Sequence, residues 1–342
     1  MRVAVVGATG AVGQLLLKTL ERRNFPATEI VPFASERSAG KTLPGYGTIQ
    51  PLAPDTVQGF DIALFSAGGS TSKAWAEQFV AGGATVVDNS SAWRKDDRVP
   101  LVVSEVNPEA IALATGAQGI GIVANPNCTT MVIMLPLKAL HDRFGLTALV
   151  ATSYQAAGGA GQTGIEELAA QTPIVGADVD QLIHDGAAAA AKVTPSTFAK
   201  TLAYNVVPLL GSVGEKGYTD EELKMRDESR KILGLPELKV APTCVRVPVV
   251  VGHSIEVRAT FARPVTAAEA TEVMNAFPNL TVRDVPTPLE AAGLDETFVG
   301  RVREDLEDPH SLNLFIVGDN LLKGAALNTV QLAELVAEHR AA

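Results

Sequence analysis

Short apolar runs alternate with stretches of helical periodicity through the first 126 residues of the chain. Residues 2–6 (RVAVV) form an apolar run that ends at Gly7, and helical periodicity follows from Ala11 to about Arg23. Strands that alternate with helices indicate an α/β fold built on a doubly wound parallel sheet. The same pattern predicts further buried strands at residues 29–34, 61–66, 84–88 and 120–124, and helices near 71–81 and 108–114.

The pattern changes after residue 126, where longer strands and longer connections begin. Thr219 and Glu222 have the spacing of a capping box and predict a helix that begins there. Two strands, 240–248 and 254–262, are predicted to turn near Gly252. The other predicted elements are a helix from Cys128 to Arg143 that bends at Pro136, a strand at 147–155, a glycine-rich loop at 156–164, strands near 298–303 and 312–317, and a last helix from Asn320 to His339.

The composition is typical of a globular protein with a large core, and it argues against nucleic acids and anionic membranes as partners. Hydrophobic residues make up 46% of the 342 residues and charged residues 19%, and the net charge of -10 argues against a nucleic-acid or anionic-membrane binder. The first residues enter a strand directly, without the pattern of a signal peptide. Two cysteines are too few for a disulfide scaffold, so we expect a reduced, cytoplasmic protein with no structural metal.

The glycine-rich segment between the first strand and the first helix predicts a nucleotide site. It reads Gly7-Ala8-Thr9-Gly10-Ala11-Val12-Gly13, a GxxGxxG spacing in the strand–turn–helix context that such a motif requires. Glycine lets the backbone approach a pyrophosphate that rests on the helix N-terminus. The alternative interpretation, a purely structural turn, does not explain the position of the motif at the first strand–helix junction.

Polar residues after the second strand indicate NADP rather than NAD. Dinucleotide sites that select NAD place an acid here for the ribose hydroxyls, whereas NADP sites use Arg for the 2′-phosphate. Ser35, Arg37 and Ser38 can all bind that phosphate. Glu36 would repel it, so we expect its carboxylate to face solvent. The alternative is a solvated polar loop.

Cys128 is the strongest candidate for a catalytic group. It lies between an Asn-Pro-Asn turn and two threonines, at the start of a predicted helix. The positive end of the helix dipole favours thiolate over thiol, and a thiolate can attack a carbonyl and hold the product as a thioester. An isolated cysteine is more often an inert core residue, and that interpretation is kept for Cys244, which lies in a predicted strand.

Five motifs in order along the chain resemble the aspartate-semialdehyde dehydrogenase family. They are GATGAVG at the start, NPNCTT around Cys128, SYQAAGGAG at 153–161, VRVPVVVGHS at 245–254 and GDNLLKGAALNTVQ at 318–331. The resemblance implies a Rossmann-type domain at residues 1–126, completed by the C-terminal helix at 320–342. It also implies an α+β catalytic and dimerisation domain of the glyceraldehyde-3-phosphate-dehydrogenase-like type at 127–319.

The resemblance assigns a role to several further residues. Cys128 matches the nucleophile, Gln155 the group that orients the carbonyl, and His253 the acid/base, since a free His titrates near pH 6.5. Arg246 would hold the α-carboxylate, Glu221 the amino group and Lys224 the phosphate. The remaining matches are Arg94 for phosphate, with Arg98 as its rival, and Asn320 near the nicotinamide.

Arg246 and His253 impose a geometric requirement on the fold. Seven positions separate them, so on one straight strand their side chains would lie about 23 Å apart on opposite faces. The chain must therefore fold back between them if both serve one site. Without the resemblance, Arg246 would be interpreted as a surface or structural ion pair, His253 as a structural histidine, and Glu221 and Lys224 as a solvated helix face. His253 nevertheless follows Gly252 at a predicted hairpin tip, where a mobile polar group can face a cleft.

The implied activity is the NADPH-dependent reduction of L-aspartyl 4-phosphate to L-aspartate 4-semialdehyde through a Cys thioester, with release of phosphate. The family's place is in lysine, threonine and methionine biosynthesis, and its members are homodimers or homotetramers. Segments 174–200 and 301–309 are candidates for subunit contacts. The alternatives are an N-acetyl-γ-glutamyl-phosphate reductase, whose acylated amine would not need Glu221, and a non-catalytic NADPH-binding regulator, which would not need Cys128.

Overall fold

The computed structural model describes residues 1–116 and 119–341. Before the nucleophile candidate the chain forms short strands and helices close to the predicted ones. These are β1 (Arg2–Val6), α1 (Ala11–Arg22), β2 (Glu29–Phe33), β3 (Thr42–Leu43), β4 (Gly47–Thr48), β5 (Ile62–Phe65), α2 (Gly69–Ala81), β6 (Thr85–Asp88), a 3₁₀ turn (Pro108–Ile111), α3 (Ala112–Thr115) and β7 (Ile122–Ala124).

From Cys128 onward most of the strands are longer than those of the first part of the chain. The elements here are α4 (Cys128–Phe144), β8 (Leu146–Gln155), a 3₁₀ turn (Ala157–Ala160), α5 (Gln162–Val175), α6 (Val179–His184), α7 (Gly186–Ala190), a 3₁₀ turn (Glu215–Gly217), α8 (Asp220–Leu233), β9 (Lys239–Arg246), β10 (His253–Phe261), α9 (Ala267–Asn275), β11 (Leu280–Val282), α10 (Pro288–Ala291), β12 (Thr297–Glu304), β13 (Ser311–Gly318), a π-helical turn (Leu322–Ala326) and α11 (Leu327–Ala341).

The chain divides into two compact units whose boundaries differ slightly from the predicted domains. The first unit is Met1–Met131 with Lys231–Leu235 and Leu322–Ala342, and the second is Val132–Arg230 with Pro236–Leu321. The first boundary thus lies inside α4 rather than at residue 126. Residue 342, the end of the predicted C-terminal range, lies outside the described residues.

The first unit contains the predicted parallel sheet. Among the described residues, its strands lie in the order β2-β1-β5-β6-β7, all parallel. Alternate residues such as Val5 and Leu64 pack in one core with Leu16 of α1 and Val330 of α11. Phe65, on the other face of β5, meets Phe79 of α2 edge to face at 5.3 Å between ring centroids. Helices cover both faces, which explains why the strands read as unbroken apolar runs.

The second unit is built on a mixed sheet, which agrees with the α+β prediction. Its strand order among the described residues is β11-β12-β13-β10-β8-β9. β10 is antiparallel to β8 and β13, whereas β9 is parallel to β8. Along β8 the buried Leu149, Ala151 and Ser153 alternate with the more exposed Val150 and Tyr154, so one face of the sheet is covered and the other is not.

The predicted hairpin around Gly252 is wrong. β8 lies between β9 and β10, so these two strands do not pair with each other. Gly252 does turn the chain, with a φ of 97° that glycine adopts at little cost. A turn signal is local, however, and does not determine which strand the returning chain joins.

Two further boundaries differ from prediction. The expected loop at 156–164 contains a 3₁₀ turn and the start of α5 at Gln162. The last helix was expected to open at Asn320, but it begins with the π-helical turn at Leu322, and regular α-helix starts at Leu327. The capping box is confirmed: the Glu222 carboxylate accepts from the Thr219 N–H at 2.8 Å, and the Thr219 hydroxyl accepts from the Glu222 N–H at 3.3 Å.

Within residues 1–116 and 119–341, every helix falls short of the length and apolarity needed to span a bilayer.

Candidate active site

The glycine-rich loop of the first unit is packed so closely that two of its glycines admit no side chain. A Cβ at Gly7 would lie 2.3 Å from the carbonyl oxygen of Ser66, and one at Gly13 would lie 2.0 Å from that of Gly7. The loop leads into the N-terminus of α1. Its other predicted residues reach the surface, fully for Thr9 and Gly10 and partly for Ala11 and Val12.

The loop after β2 lies beside the glycine-rich loop, because β1 and β2 are parallel neighbours. Ser35, Glu36 and Arg37 are exposed and Ser38 is partly exposed. The Ser38 N–H donates to the carbonyl oxygen of Ser35 at 2.8 Å, which closes a tight turn. The exposure of Glu36 agrees with the expectation that its carboxylate faces solvent.

Cys128 is the first residue of α4 and is partly exposed. The Asn127 side-chain oxygen accepts from the N–H groups of Thr129 and Thr130 at 2.9 and 3.3 Å. Asn127 therefore caps the helix that bears the thiol, a role the sequence analysis missed although Asn before a helix is a recognised cap signal. Cys244 is 1% exposed, which agrees with its interpretation as a core residue.

Arg94 is tied to the loops that follow β6 and β7. Its Nε donates to the carbonyl oxygen of Asn125 at 2.9 Å and its Nη2 to that of Asn89 at 3.2 Å. Arg94 is buried, whereas its rival Arg98 is exposed and pairs with Asp96 at 2.6 Å. Arg94 thus lies against the segment that leads to Cys128.

A second group of predicted residues meets in the second unit. Gln155 and Arg246, the last residues of β8 and β9, are register partners. The Gln155 side chain donates to the Glu221 carboxylate at 3.1 Å and accepts from the Ser153 hydroxyl at 2.9 Å. This amide is therefore held in one orientation.

Glu221 and Lys224 form a partly buried cluster rather than a solvated helix face. The Lys224 ammonium donates to Asp220 at 2.8 Å and to Glu221 at 3.2 Å. Burial alone would lower the pKa of Lys224, but the two carboxylates outweigh it and the net shift is upward. Lys224 therefore stays protonated at neutral pH and carries a positive charge into the cluster.

Arg246 and His253 satisfy the geometric requirement set by the sequence. Arg246 Nη1 donates to the carbonyl oxygen of Ala156 at 2.6 Å, and the Ala156 N–H donates to His253 Nδ1 at 3.0 Å. A Cβ placed on Gly159 would lie 2.9 Å from Arg246 Nη1 and 3.3 Å from His253 Nε2. Glycine at position 159 thus leaves space in front of both groups.

The expectation that His253 titrates near neutrality is wrong for this structure. His253 is fully buried, and burial, reinforced by the positive charge of Arg246, lowers its pKa well below the ordinary value. The imidazole is therefore neutral at pH 7. Because Nδ1 accepts from the Ala156 N–H, the single ring proton resides on Nε2.

Asn320 lies in the turn between β13 and the π-helical turn and is 1% exposed. Its side-chain oxygen accepts from the Gly252 N–H at 2.9 Å. Within the described part of the chain, its amide nitrogen has no hydrogen-bond partner. A buried donor of this kind suits a ligand carbonyl.

The predicted site residues therefore fall into two groups. The first group lies in the first unit, where Arg94 binds the segment that leads to Cys128. The first unit also contains the glycine-rich loop and Arg37. The second unit brings the other six together in its own framework: Gln155, Glu221, Lys224, Arg246, His253 and, through Gly252, Asn320.

Comparison with known proteins gives the family. The family model "Semialdehyde dehydrogenase, NAD binding domain" matches residues 2–114, and "Semialdehyde dehydrogenase, dimerisation domain" matches residues 137–323. The aspartate-semialdehyde dehydrogenase of Streptomyces akiyoshiensis is 54% identical over 98% of each chain.

Two solved structures agree with this comparison. Aspartate semialdehyde dehydrogenase II from Vibrio cholerae, complexed with ASA, superposes with a TM-score of 0.90 at 39% identity over 98% of both chains. The Candida albicans aspartate semialdehyde dehydrogenase with NADP gives a TM-score of 0.72 at 25% identity over 98% of both chains. The chain belongs to the aspartate-semialdehyde dehydrogenase family.

Proposed function

We propose that this protein reduces L-aspartyl 4-phosphate to L-aspartate 4-semialdehyde with NADPH, through a thioester on Cys128, in the biosynthesis of lysine, threonine and methionine. The observation that carries the proposal is the partly exposed thiol at the Asn-capped start of α4. The helix dipole stabilises a thiolate there. Family membership and the relatives' names support this reaction.

NADP is the proposed cofactor. Gly7 and Gly13 keep the loop before α1 free of side chains, which suits a pyrophosphate at the helix N-terminus. Arg37, with Ser35 and Ser38, would hold the 2′-phosphate. The buried amide nitrogen of Asn320 would donate to the nicotinamide carboxamide. When bound, NADPH supplies the hydride that reduces the acyl group.

The protein's own groups would hold the substrate by its charges. Arg246 would bind the α-carboxylate through two parallel hydrogen bonds, and the Glu221 carboxylate would bind the α-ammonium. Lys224 and Arg94 would bind the phosphate. Gln155, fixed by Ser153 and Glu221, would orient the reacting carbonyl. Attack of the Cys128 thiolate on that carbonyl expels phosphate and leaves the thioester.

The neutral imidazole of His253 would donate a hydrogen bond from Nε2. A neutral imidazole with its proton on Nε2 can donate to the carbonyl oxygen and stabilise the negative charge that develops there. This role needs no protonated imidazolium at neutral pH. It also differs from that of a histidine with an ordinary pKa, which would be partly charged under the same conditions.

A homodimer or homotetramer is the proposed assembly. The match to a dimerisation-domain model supports association. On the sheet of the second unit, Val150 is 46% exposed and Tyr154 36% exposed. Apolar groups on an uncovered sheet face are suited to burial against another subunit.

The main competing activity is that of an N-acetyl-γ-glutamyl-phosphate reductase, which shares the chemistry. An acylated amine is uncharged, so the carboxylate of Glu221 beside Gln155 would be placed against a group that does not need it. The other alternative, a non-catalytic NADPH-binding regulator, leaves the capped thiol of Cys128 unexplained. Both alternatives are less consistent with these side chains than the proposed reaction.

One assay separates the three possibilities. NADP⁺, inorganic phosphate and L-aspartate 4-semialdehyde are mixed with the protein, and NADPH is followed by its absorbance. The proposed function requires phosphate-dependent NADPH formation with this aldehyde and much less with N-acetyl-L-glutamate 5-semialdehyde. Preference for the acetylated aldehyde would establish the competing reductase, and inactivity with both would support the regulator.

A further inference from the structure

The C-terminal segment of the first unit contributes a fully buried lysine to a charge pair, and its partner carboxylate, Glu105, is nearly buried. Lys323 is 0% exposed, and its ammonium lies 2.5 Å from the Glu105 carboxylate. The same ammonium donates to the side-chain oxygens of Gln331 at 2.8 Å and Asn328 at 3.4 Å. Lys323 belongs to the π-helical turn before α11, and such turns are frequent at functional sites. The pair anchors the start of α11 to the chain around Glu105.

Asn328 is held in one orientation by this cluster. Its side-chain oxygen faces two obligatory donors, the Lys323 ammonium at 3.4 Å and the Ser104 N–H at 3.1 Å. The Ser104 hydroxyl lies 3.2 Å from the same oxygen and shares its single proton with the Glu105 carboxylate, which is 2.7 Å away. The Asn328 Nδ2 must then point the other way, and it donates to the carbonyl oxygen of Val102 at 3.0 Å and to Asn125 Oδ1 at 2.7 Å. An ammonium and a peptide N–H cannot accept hydrogen bonds, so the orientation of the amide is determined.

The orientation of Asn328 determines that of Asn125. Asn125 is 0% exposed and presents its oxygen to Asn328, so its Nδ2 is left to donate to Asn89 Oδ1 at 2.7 Å. The backbone carbonyls of the same two residues, Asn125 and Asn89, accept from the guanidinium of Arg94. A directed series of hydrogen bonds therefore runs from Lys323 through Asn328 and Asn125 to the loops that hold Arg94.

We propose that Asn328 is a positioning residue for the phosphate-binding step and acts through Asn125 on Arg94. The inference rests on the proposed function, in which Arg94 binds phosphate. Asn328 itself would not touch the substrate. Its Nδ2 fixes Asn125, and Asn125 fixes the spacing of the two carbonyls that orient the guanidinium.

The test is Asn328→Asp, which keeps the size of the side chain and removes its donor. A carboxylate at 328 would face Asn125 Oδ1, so the Asn125 amide must turn over and its oxygen then meets Asn89 Oδ1. The apparent KM for phosphate should rise by about tenfold, the effect of losing one hydrogen bond near a charged group. The KM for the aldehyde should stay within about twofold. Equal rises in both, or no change in either, would overturn the inference.

Ser104→Ala is the matched control, because it removes a hydroxyl that contacts both Glu105 and the oxygen side of the Asn328 amide and leaves the donor to Asn125 intact. Thermal unfolding should occur at a lower temperature in both variants, but the phosphate KM should stay within about twofold of wild type in Ser104→Ala. A rise of the phosphate KM in Ser104→Ala as large as that in Asn328→Asp would mean a merely structural role.

Asn89→Ala covers the case in which Asn328→Asp does not fold. Asn89 is only partly buried, and its removal takes away the acceptor at the far end of the series while its backbone carbonyl stays. The same selective rise in the phosphate KM is expected. An unchanged phosphate KM in Asn89→Ala would contradict the inference.

Arg94→Ala separates this inference from the proposed function. If Asn328 acts through Arg94, the double variant should have the same phosphate KM as Arg94→Ala alone, because the two effects are not additive. Independent, multiplying effects would overturn the positioning role while leaving the phosphate role of Arg94 intact. Wild-type protein without phosphate-dependent NADPH formation would overturn the proposed function itself.

Discussion

Arg246 and His253 hydrogen-bond opposite ends of one residue, Ala156, although seven positions separate them along the chain. Arg246 donates to its carbonyl oxygen and His253 accepts from its N–H. The positive charge of Arg246 contributes to the low pKa of His253, second to burial. Arg246, the candidate for binding the carboxylate, is therefore coupled to His253, the candidate hydrogen-bond donor, both electrostatically and through the backbone of Ala156.

Arg246→Lys should be strongly impaired although the charge is kept. Lysine offers a point charge and cannot make the planar two-bond contact with a carboxylate. We expect a loss on the order of 2–4 kcal/mol in transition-state binding, the range for a charged pair broken in a desolvated site. The measurement is kcat/KM for L-aspartate 4-semialdehyde. Near-wild-type efficiency would remove Arg246 from the substrate site.

His253 should make the wild-type protein less stable in acid. Its folded-state pKa lies well below the ordinary value of 6.5, so the unfolded chain binds a proton first as the pH falls. Stability is therefore full above pH 6.5 and declines below it, by about 1.4 kcal/mol at pH 5.5 for one such group. His253→Gln should reduce this decline when urea unfolding is followed from pH 7.5 to 5.5. A decline of the same size in the variant would assign it to other groups.

Cys128→Ala should abolish turnover and leave NADP binding intact, because nucleophile and nucleotide loop are separate parts of the first unit. Cys128→Ser should retain at most a trace, since an alcohol ionises far less than a thiol. Calorimetric titration with NADP and the NADPH assay together measure this. Cys244→Ala is the control, because that thiol is buried in the sheet, and it should keep normal kinetics. Turnover in Cys128→Ala would end the thioester mechanism.

Arg37→Ala should weaken NADP much more than NAD, because the 2′-phosphate distinguishes the two cofactors. A lost contact between Arg and phosphate corresponds to about 1.5–3 kcal/mol, or roughly a tenfold to hundredfold fall in the ratio of kcat/KM values. Arg98→Ala removes an exposed arginine paired with Asp96 and should leave the ratio unchanged. Equal losses for both cofactors in Arg37→Ala would indicate a structural role.

Glu221→Gln should raise the KM for L-aspartate 4-semialdehyde and leave the phosphate KM nearly unchanged. The variant keeps the size of the side chain beside Gln155 but loses the charge that would attract the α-ammonium. Glu222→Gln, at the neighbouring residue, is the control: the amide keeps only one of the two oxygens that accept from the Thr219 and Cys244 N–H groups, so it should cost about 1 kcal/mol of stability with little effect on either KM. A larger effect on phosphate than on aldehyde would reverse the proposed roles of Glu221 and Lys224.

Several features could be predicted from the sequence because their causes are local. A glycine-rich turn after an apolar run, the start of a helix at Cys128, and the Thr219–Glu222 capping box each depend on a few consecutive residues. Their backbone conformations follow from steric limits and nearby hydrogen-bond partners. The alternation of strands and helices along the first unit likewise follows from the spacing of apolar runs.

Tertiary structure alone decided the properties that depend on distant residues. The sequence marked a turn at Gly252, but the insertion of β8 between β9 and β10 brought Gln155, Arg246 and His253 together. The neutral state of His253 and the orientation of Asn125 arise from burial and from partners far along the chain. Desolvation and hydrogen-bond direction are set by everything that surrounds a group, and a linear pattern does not contain that information.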